Sequence, residues 1–289
     1  MTLRPALLVA TALVVGAVAA LALGAGSGRS AAPAGFDAPR LTSSARVWAV
    51  GDAAARGEAP RRVARLIADA RPELFLYLGD VYPHGTAEDF LTYDRLYGRL
   101  AERTAPTIGN HEWATRRRGY DAYWRRALGR PLPRYYSFGA AGWTVLGLNS
   151  ELPRSAMRRQ AAWVRARVRA GGTCRLAFWH RPRFSAGPHG DSKRVDPLWR
   201  ALRGRARLVL SAHDHDLQRL RRRDGITQLV AGAGGRSRYP LRRDRRLLFG
   251  DASSEGALRL DLRPGHARYA FVSSAGRVLH RGSASCRSR

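Results

Sequence analysis

The chain has 289 residues, of which 45% are hydrophobic and 9% aromatic, enough to bury one large core, and its composition excludes a chain that lacks one. The formal net charge is +29, and Lys193 is the sole lysine, so arginine carries nearly all of it. Such charge either draws a protein to polyanions or is spread over solvated helix faces, and the arginine runs "RRRD" (221–224) and "RRDRR" (242–246) lack the interleaved aromatics of a base-stacking platform.

The chain begins "MTLRPALLVATALVVGAVAALALGAGSG": one arginine, an apolar run over about residues 6–23, then small residues. This reads as a secretory signal, with residues 1–35 as signal and short linker and residues 36–289 as one domain. The same run is long enough to be kept as a membrane anchor instead. Either way the domain lies outside the cytoplasm, secreted or associated with the cell wall, and no later stretch is apolar enough to span a bilayer. Cys174 and Cys286 are the only cysteines, and an even pair in an exported chain suggests one disulfide pinning the tail to the core, against the alternative of two thiols that never meet.

In chain order, "ARVWAV" before Gly51 reads as a buried strand, "APRRVARLIADA" as an amphipathic helix and "LFLYL" before Gly79 as a second strand, which together make a βαβ unit. "TAEDFLTYDRLYGRLAERT" reads as a helix capped by a threonine, and "APTI" as a strand leading to Gly109-Asn110-His111-Glu112. "RYYSFGAAGWTVLGLNS" follows as a hairpin, then a helix "RSAMRRQAAWVRARVRAG", the strand "CRLAFW" ending at His180, a helix around "DPLWRALRG", and the strand "ARLVL" running into "SAHDHD" at residues 211–216. From Ile226 the chain is strand and turn, closing in the meander "ALRLDLRPGHARYAFVSSAGRVLH". There is no internal repeat.

Five strands thus end in oxygen or nitrogen donors: Asp52, Asp80, Asn110, His180, and the pair His213 and His215. One aspartate after a strand is ordinarily a cap or turn residue, and one histidine ordinarily a satisfied surface or core group. Recurrence at the carboxyl ends of successive parallel strands is different, because that rim is where an α/β fold gathers its ligand groups. Carboxylates, an amide oxygen and imidazoles, without a spare thiol, suit Fe, Mn or Zn, and they exceed what one tetrahedral zinc needs, so two adjacent metals are implied. In "SAHDHD", alternation along an extended segment directs His213 and His215 to the rim and Asp214 away from it.

The segments "GDAA", "LGDVYP", "GNHEW", "FWHRP" and "SAHDHD", in this order, resemble the calcineurin-like metallophosphoesterases, and within them the purple-acid-phosphatase-like branch of small exported bacterial type. The resemblance runs from about residue 46 to 235 and implies a four-layer sandwich of two mixed β-sheets flanked by helices. It implies that Asp52 and His215 hold a first metal, that Asn110, His180 and His213 hold a second, and that Asp80 bridges both. It places His111 over the site as a catalytic group rather than a ligand. The activity implied is metal-dependent hydrolysis of phosphate monoesters, acid-phosphatase-like, in which metal-activated hydroxide attacks phosphorus in line.

Three positions depart from the family pattern. Ala54 stands where many members carry a histidine ligand. The branch supplies a tyrosine three residues after the bridging aspartate, but Tyr82 is two residues after Asp80, which leaves its phenol either on the metals, favouring ferric iron paired with Zn, Mn or Fe, or turned away from them. Ala212 replaces the usual glycine, a mild change unless the backbone there is left-handed. His189, in a Gly-rich loop, is a further catalytic candidate that contacts phosphate or donates a proton, and Arg236, in the last Gly-rich loop, is a candidate to clamp a phosphate oxygen. A phosphodiesterase or nucleotidase using the same two metals, and a decayed site in a wall- or polyanion-binding protein, are the alternatives. A monomer acting on a phosphorylated small molecule or polymer, without specific nucleic-acid binding, is the expected partnership.

Overall fold

The computed structural model describes residues 1, 36, 39 and 41–286, apart from 171 and 173. The expected signal and linker, residues 1–35, lie outside the described residues except for Met1.

The βαβ unit forms as expected: β1 (Ala45–Val50) and β2 (Leu74–Tyr77) pair in parallel around α1 (Glu58–Asp69). α2 (Ala87–Tyr97) starts at Thr86, whose hydroxyl accepts from the Asp89 amide while the Asp89 carboxylate accepts from the Thr86 amide. This reciprocal cap explains why the helix begins there. It ends sooner than its pattern suggests, passing at Gly98 into a 3₁₀ turn over Gly98–Arg103 that feeds β3 (Thr104–Pro106). Two short helices that the sequence reading did not resolve follow, α3 (Asn110–Trp113) and α4 (Tyr120–Leu128).

The hairpin is β4 (Tyr136–Ala140) and β5 (Trp143–Gly147). α5 (Arg154–Ala170), β6 (Arg175–Phe178), α6 (Asp196–Leu202) and β7 (Leu208–Ser211) come next in chain order. The last part of the chain is β8 (Leu217–Leu220), β9 (Thr227–Ala231), β10 (Leu247–Asp251), β11 (Gly256–Arg263), β12 (His266–Ser273) and β13 (Val278–Ser285).

These strands make two mixed sheets, one ordered β13-β12-β11-β1-β2-β3 and the other β10-β8-β9-β7-β6-β5-β4. Alternation along the strands sorts the side chains. Val47, Leu74 and Leu76 of the first sheet meet Leu176, Leu208 and Leu210 of the second in a central core. Trp48, Val50, Phe75 and Tyr77 face outward under Val63, Ile67, Tyr93 and Trp124 of α1, α2 and α4. On the opposite outer face, Leu146, Ala177 and Val209 lie under Met157 and Val164 of α5 and Leu198 of α6. The result is the expected four-layer α/β sandwich. Each fully buried aliphatic side chain stabilises it by roughly 1.5–3 kcal/mol.

Cys174 and Cys286 form a disulfide with Cα atoms 5.1 Å apart. It joins the start of β6 in one sheet to the tail after β13 in the other, at the ends of the strands remote from the donor-bearing rim.

Candidate metal centre

β1, β2 and β3 run parallel to one another, as do β6 and β7, so the loops after them open on one rim, and there the sequence-expected side chains converge. Asp80 Oδ1 lies 3.4 Å from His180 Nε2, and Asp80 Oδ2 lies 3.2 Å from the Tyr82 hydroxyl. The carboxylate thus faces two groups of donors at once. On one side, His180 Nε2 is 3.1 Å from Asn110 Oδ1 and 3.1 Å from His213 Nδ1. On the other, the Tyr82 hydroxyl is 2.8 Å from Asp52 Oδ1 and 2.9 Å from His215 Nε2. The phenol therefore points into the cluster despite its one-residue offset.

The backbone is turned sharply to achieve this. Asp52, Asp80 and His213 have φ of 55°, 68° and 70°, three of the six non-glycine residues with positive φ among those described. Left-handed backbone is sparsely populated by L residues and clusters where surrounding structure over-determines it. Gly109 admits the Asp80 carboxylate, because a Cβ built there would stand 2.0 Å from Asp80 Oδ1. Ala212 is not left-handed; the positive φ falls on His213, and the Ala212 methyl packs where a Cβ on Gly51 would lie 2.4 Å away. The departure from glycine is thus accommodated by the glycine opposite.

The expectation of an extended "SAHDHD" is corrected. After Ser211 the segment bends twice, with Asp214 N donating to Ala212 O and Asp216 N to Asp214 O. The left-handed turn at His213, not strand alternation, aims the two imidazoles at the rim. Asp214 does leave the cluster: its buried carboxylate accepts from the backbone N of His189 at 3.0 Å, lies 2.9 Å from His189 Nδ1, and binds the Ser185 hydroxyl. This holds the His189 ring 4.1 Å from that of His213.

Three of the imidazoles are held through Nδ1 by backbone carbonyls. Nδ1 of His180 meets Leu78 O at 2.9 Å, that of His215 meets Ser237 O at 2.5 Å, and that of His111 meets Pro83 O at 2.6 Å. Each contact directs Nε2 toward the cluster, the arrangement that orients metal-binding imidazoles. His111 is partly exposed, with its ring 4.4 Å from that of Tyr82 and Nε2 3.7 Å from Asp80 Oδ2. Arg236 carries its guanidinium 4.8 Å from the centre of the Tyr82 ring.

Several contributors escaped sequence reading. Buried Glu112 accepts from the amides of Asp80, Val81 and Gly109 at 3.0, 3.2 and 3.2 Å, clamping two ligand loops together. Its place three residues after Gly109 at a helix start is the one signal that marks it. Arg181 is gripped by Glu151 and sets Nη1 2.8 Å from His213 Nε2, and Tyr239 stacks on His215 at 4.0 Å. Neither pairing leaves a sequence signal, since each joins loops far apart in the chain.

Electrostatics identifies what the cluster fits. Burial by itself raises the Asp80 carboxyl, yet His180 and His111 outweigh it and hold it well below the usual range. Burial likewise lowers His180, and Asp80 outweighs it to push the imidazole up to about 10. Burial lowers His213, assisted by His180 and Arg181. Burial raises the Tyr82 phenol, reinforced by Asp52 and Asp80. Buried Glu112 is pushed up to about 8 by desolvation and by Asp80. Carboxylate, amide and phenol oxygens crowded together need positive charge among them, and a cation at the point where Asp80, His180 and His213 converge, their ligating atoms within 4.8 Å of one another, meets that need.

A sandwich fold with this rim of donors defines a metallophosphoesterase architecture. The profile of the calcineurin-like phosphoesterases matches residues 45–217, and the chain belongs to that family. No curated protein sequence matches. Among solved structures, the chain is similar to a purple acid phosphatase from yellow lupin seeds, at 14% identity over 86% of this chain and 55% of that one, with TM-score 0.71. It is similar to GAP50, the anchor in the inner membrane complex of Plasmodium, at 14% identity over 86% of this chain and 90% of that one, with TM-score 0.69. A dimetal phosphatase from Danio rerio matches at 12% identity over 84% of this chain and 99% of that one, with TM-score 0.63. At these identities the likeness is one of fold.

Proposed function

We propose that the protein is an exported binuclear metallophosphoesterase that hydrolyses phosphate monoesters. The observation that carries this reading is the double-faced Asp80, with one carboxylate oxygen toward His180 and the other toward Tyr82. Asp52, Tyr82 and His215 would hold one ion, Asn110, His180 and His213 the other, and Asp80 both. Two such ions supply Lewis-acid charge for displacement at phosphorus. The phenol among the ligands favours ferric iron at its position, with Zn, Mn or Fe at the second.

The surrounding side chains fit a dianionic terminal phosphate. Arg236 offers its guanidinium to a phosphate oxygen, and His111 Nε2 stands beside Asp80 to donate to another. His189, with Nδ1 tied to Asp214, has Nε2 free to protonate the leaving-group oxygen. The disulfide fits an oxidising compartment outside the cytoplasm. A decayed site would lack donors, whereas all seven side chains reach one cluster.

Metal analysis of purified protein combined with a panel of aryl mono- and diesters tests the reading. About two ions per chain with faster monoester turnover is expected. Metal-loaded protein inert to both classes, or faster on diesters, overturns it.

A further inference from the structure

Between α5 and α6 lies a cavity of about 700 Å³ floored by the buried side chains of Leu152 and Met157. Arg154, Arg158, Arg165 and Lys193 line it. All four are exposed, and among the described residues none has a carboxylate partner. Asp196, the one acid in the wall, is already taken by Arg183 and Arg200.

A second arginine-lined cavity, beside α1 and α2, supplies the contrast. There Arg56 pairs with Glu88 at 3.3 Å, and Arg61 and Arg65 pair with Glu58 at 2.9 and 3.7 Å. Three of the five arginines lining that cavity thus have a carboxylate partner, whereas Arg95 and Arg99 have none among the described residues; of the six cations lining the first cavity only Arg200 has one. Like charges held together without counter-charge repel one another, and an anionic ligand relieves the repulsion.

A chain of contacts links the uncompensated cavity to the metal centre. Arg194, in its wall, donates to the carbonyls of Ser150, Glu151 and Leu152. The Glu151 carboxylate holds Arg181, which reaches His213. The segment that brings His189 to the centre continues directly to Lys193 and Arg194. No aromatic side chain lines the cavity, so nothing there stacks a base.

We infer that this cavity binds the body of a linear phosphate polymer whose terminal phosphate is hydrolysed at the metal centre. The inference rests on the phosphoesterase reading given above and extends it from phosphate monoesters to the terminal phosphoanhydride of a phosphate polymer. In the reaction the terminal P–O bond breaks; water supplies hydroxyl to the released orthophosphate and its other proton to the bridging oxygen left on the shortened chain.

The test uses metal-loaded protein and its Arg158→Gln/Arg165→Gln variant, two exposed substitutions outside the metal centre. Binding is followed with fluorescent inorganic polyphosphate blocked at both ends, and turnover with unblocked polyphosphate and with an aryl phosphate. Loss of two charge contacts is expected to weaken polyphosphate binding about tenfold at physiological salt and to lower the slope of log affinity against log salt by about 1.4. KM for unblocked polyphosphate rises in step, while kcat and KM for the aryl phosphate stay unchanged. Equal polyphosphate affinity in both proteins overturns the inference, as does equally tight, equally arginine-dependent binding of a single-stranded oligonucleotide of matched charge. Arginine-dependent polyphosphate binding without turnover of any phosphate ester would sink the enzymatic reading and leave the cavity as a polyanion site. Aryl phosphate turnover with indifferent polyphosphate binding would do the reverse.

Discussion

The two ends of the β-sandwich are built on opposite terms. At the carboxyl ends of the parallel strands, buried carboxylates, imidazoles and a phenol crowd together, and three residues sit in left-handed backbone. At the far end the sheets are joined by the Cys174–Cys286 bond, and Cys286 N donates to Gly265 O at 2.8 Å. The first end holds left-handed backbone and buried charge around the donors, whereas the second is closed by a covalent link between the sheets. The difference predicts that substitutions at the two ends affect activity and stability separately.

The strongest challenge to this division is Asp80→Ala, which removes the one carboxylate facing both donor groups. Turnover is expected to fall by about 10³-fold or more, with loss of at least one metal ion by elemental analysis. Full metal content with intact turnover would dissolve the site. At the other end, Cys286→Ser opens a loop closed across a sequence separation of 112 residues and should lower stability by about 3 kcal/mol in denaturant titration. Monoester turnover at moderate temperature should persist, and a proportionate loss of turnover would show that the two ends are coupled.

His111→Ala sharpens the picture within the rim. The imidazole stands beside the donors without joining either group, so metal content should hold while turnover drops about 10²-fold. Metal loss in this variant would recast His111 as a ligand. The smallest effect is expected for Tyr82→Phe, with about tenfold weaker metal binding confined to the Asp52 and His215 side. If that ion is ferric iron, the oxidised protein is coloured by phenolate-to-iron charge transfer and the variant is not; an iron-loaded protein without colour excludes the ligand role.

The resemblance and the strand-end pattern made much of the rim readable in advance. Asp52, Asp80, Asn110, His180, His213 and His215 each follow an apolar strand, and parallel pairing brings such positions together wherever the details fall. What escaped prediction depends on contacts between loops distant in the chain. Glu112 holding the amides of Asp80 and Val81, Glu151 aligning Arg181 and Asp214 fixing His189 are all of this kind. The bends of "SAHDHD" were misread because strand alternation does not extend past Ser211, where the backbone enters left-handed space.

By itself the sequence determined the order of strands and helices, the donors that follow apolar strands and the presence of two cysteines, because these follow from local periodicity and residue type; the four-layer sandwich was legible only through the family resemblance. Only the tertiary structure decided that the Tyr82 phenol turns inward, that Ala212 is matched by Gly51, and that four of the many cationic side chains stand together uncompensated. Each of these depends on the distance between groups remote in sequence, which packing alone sets.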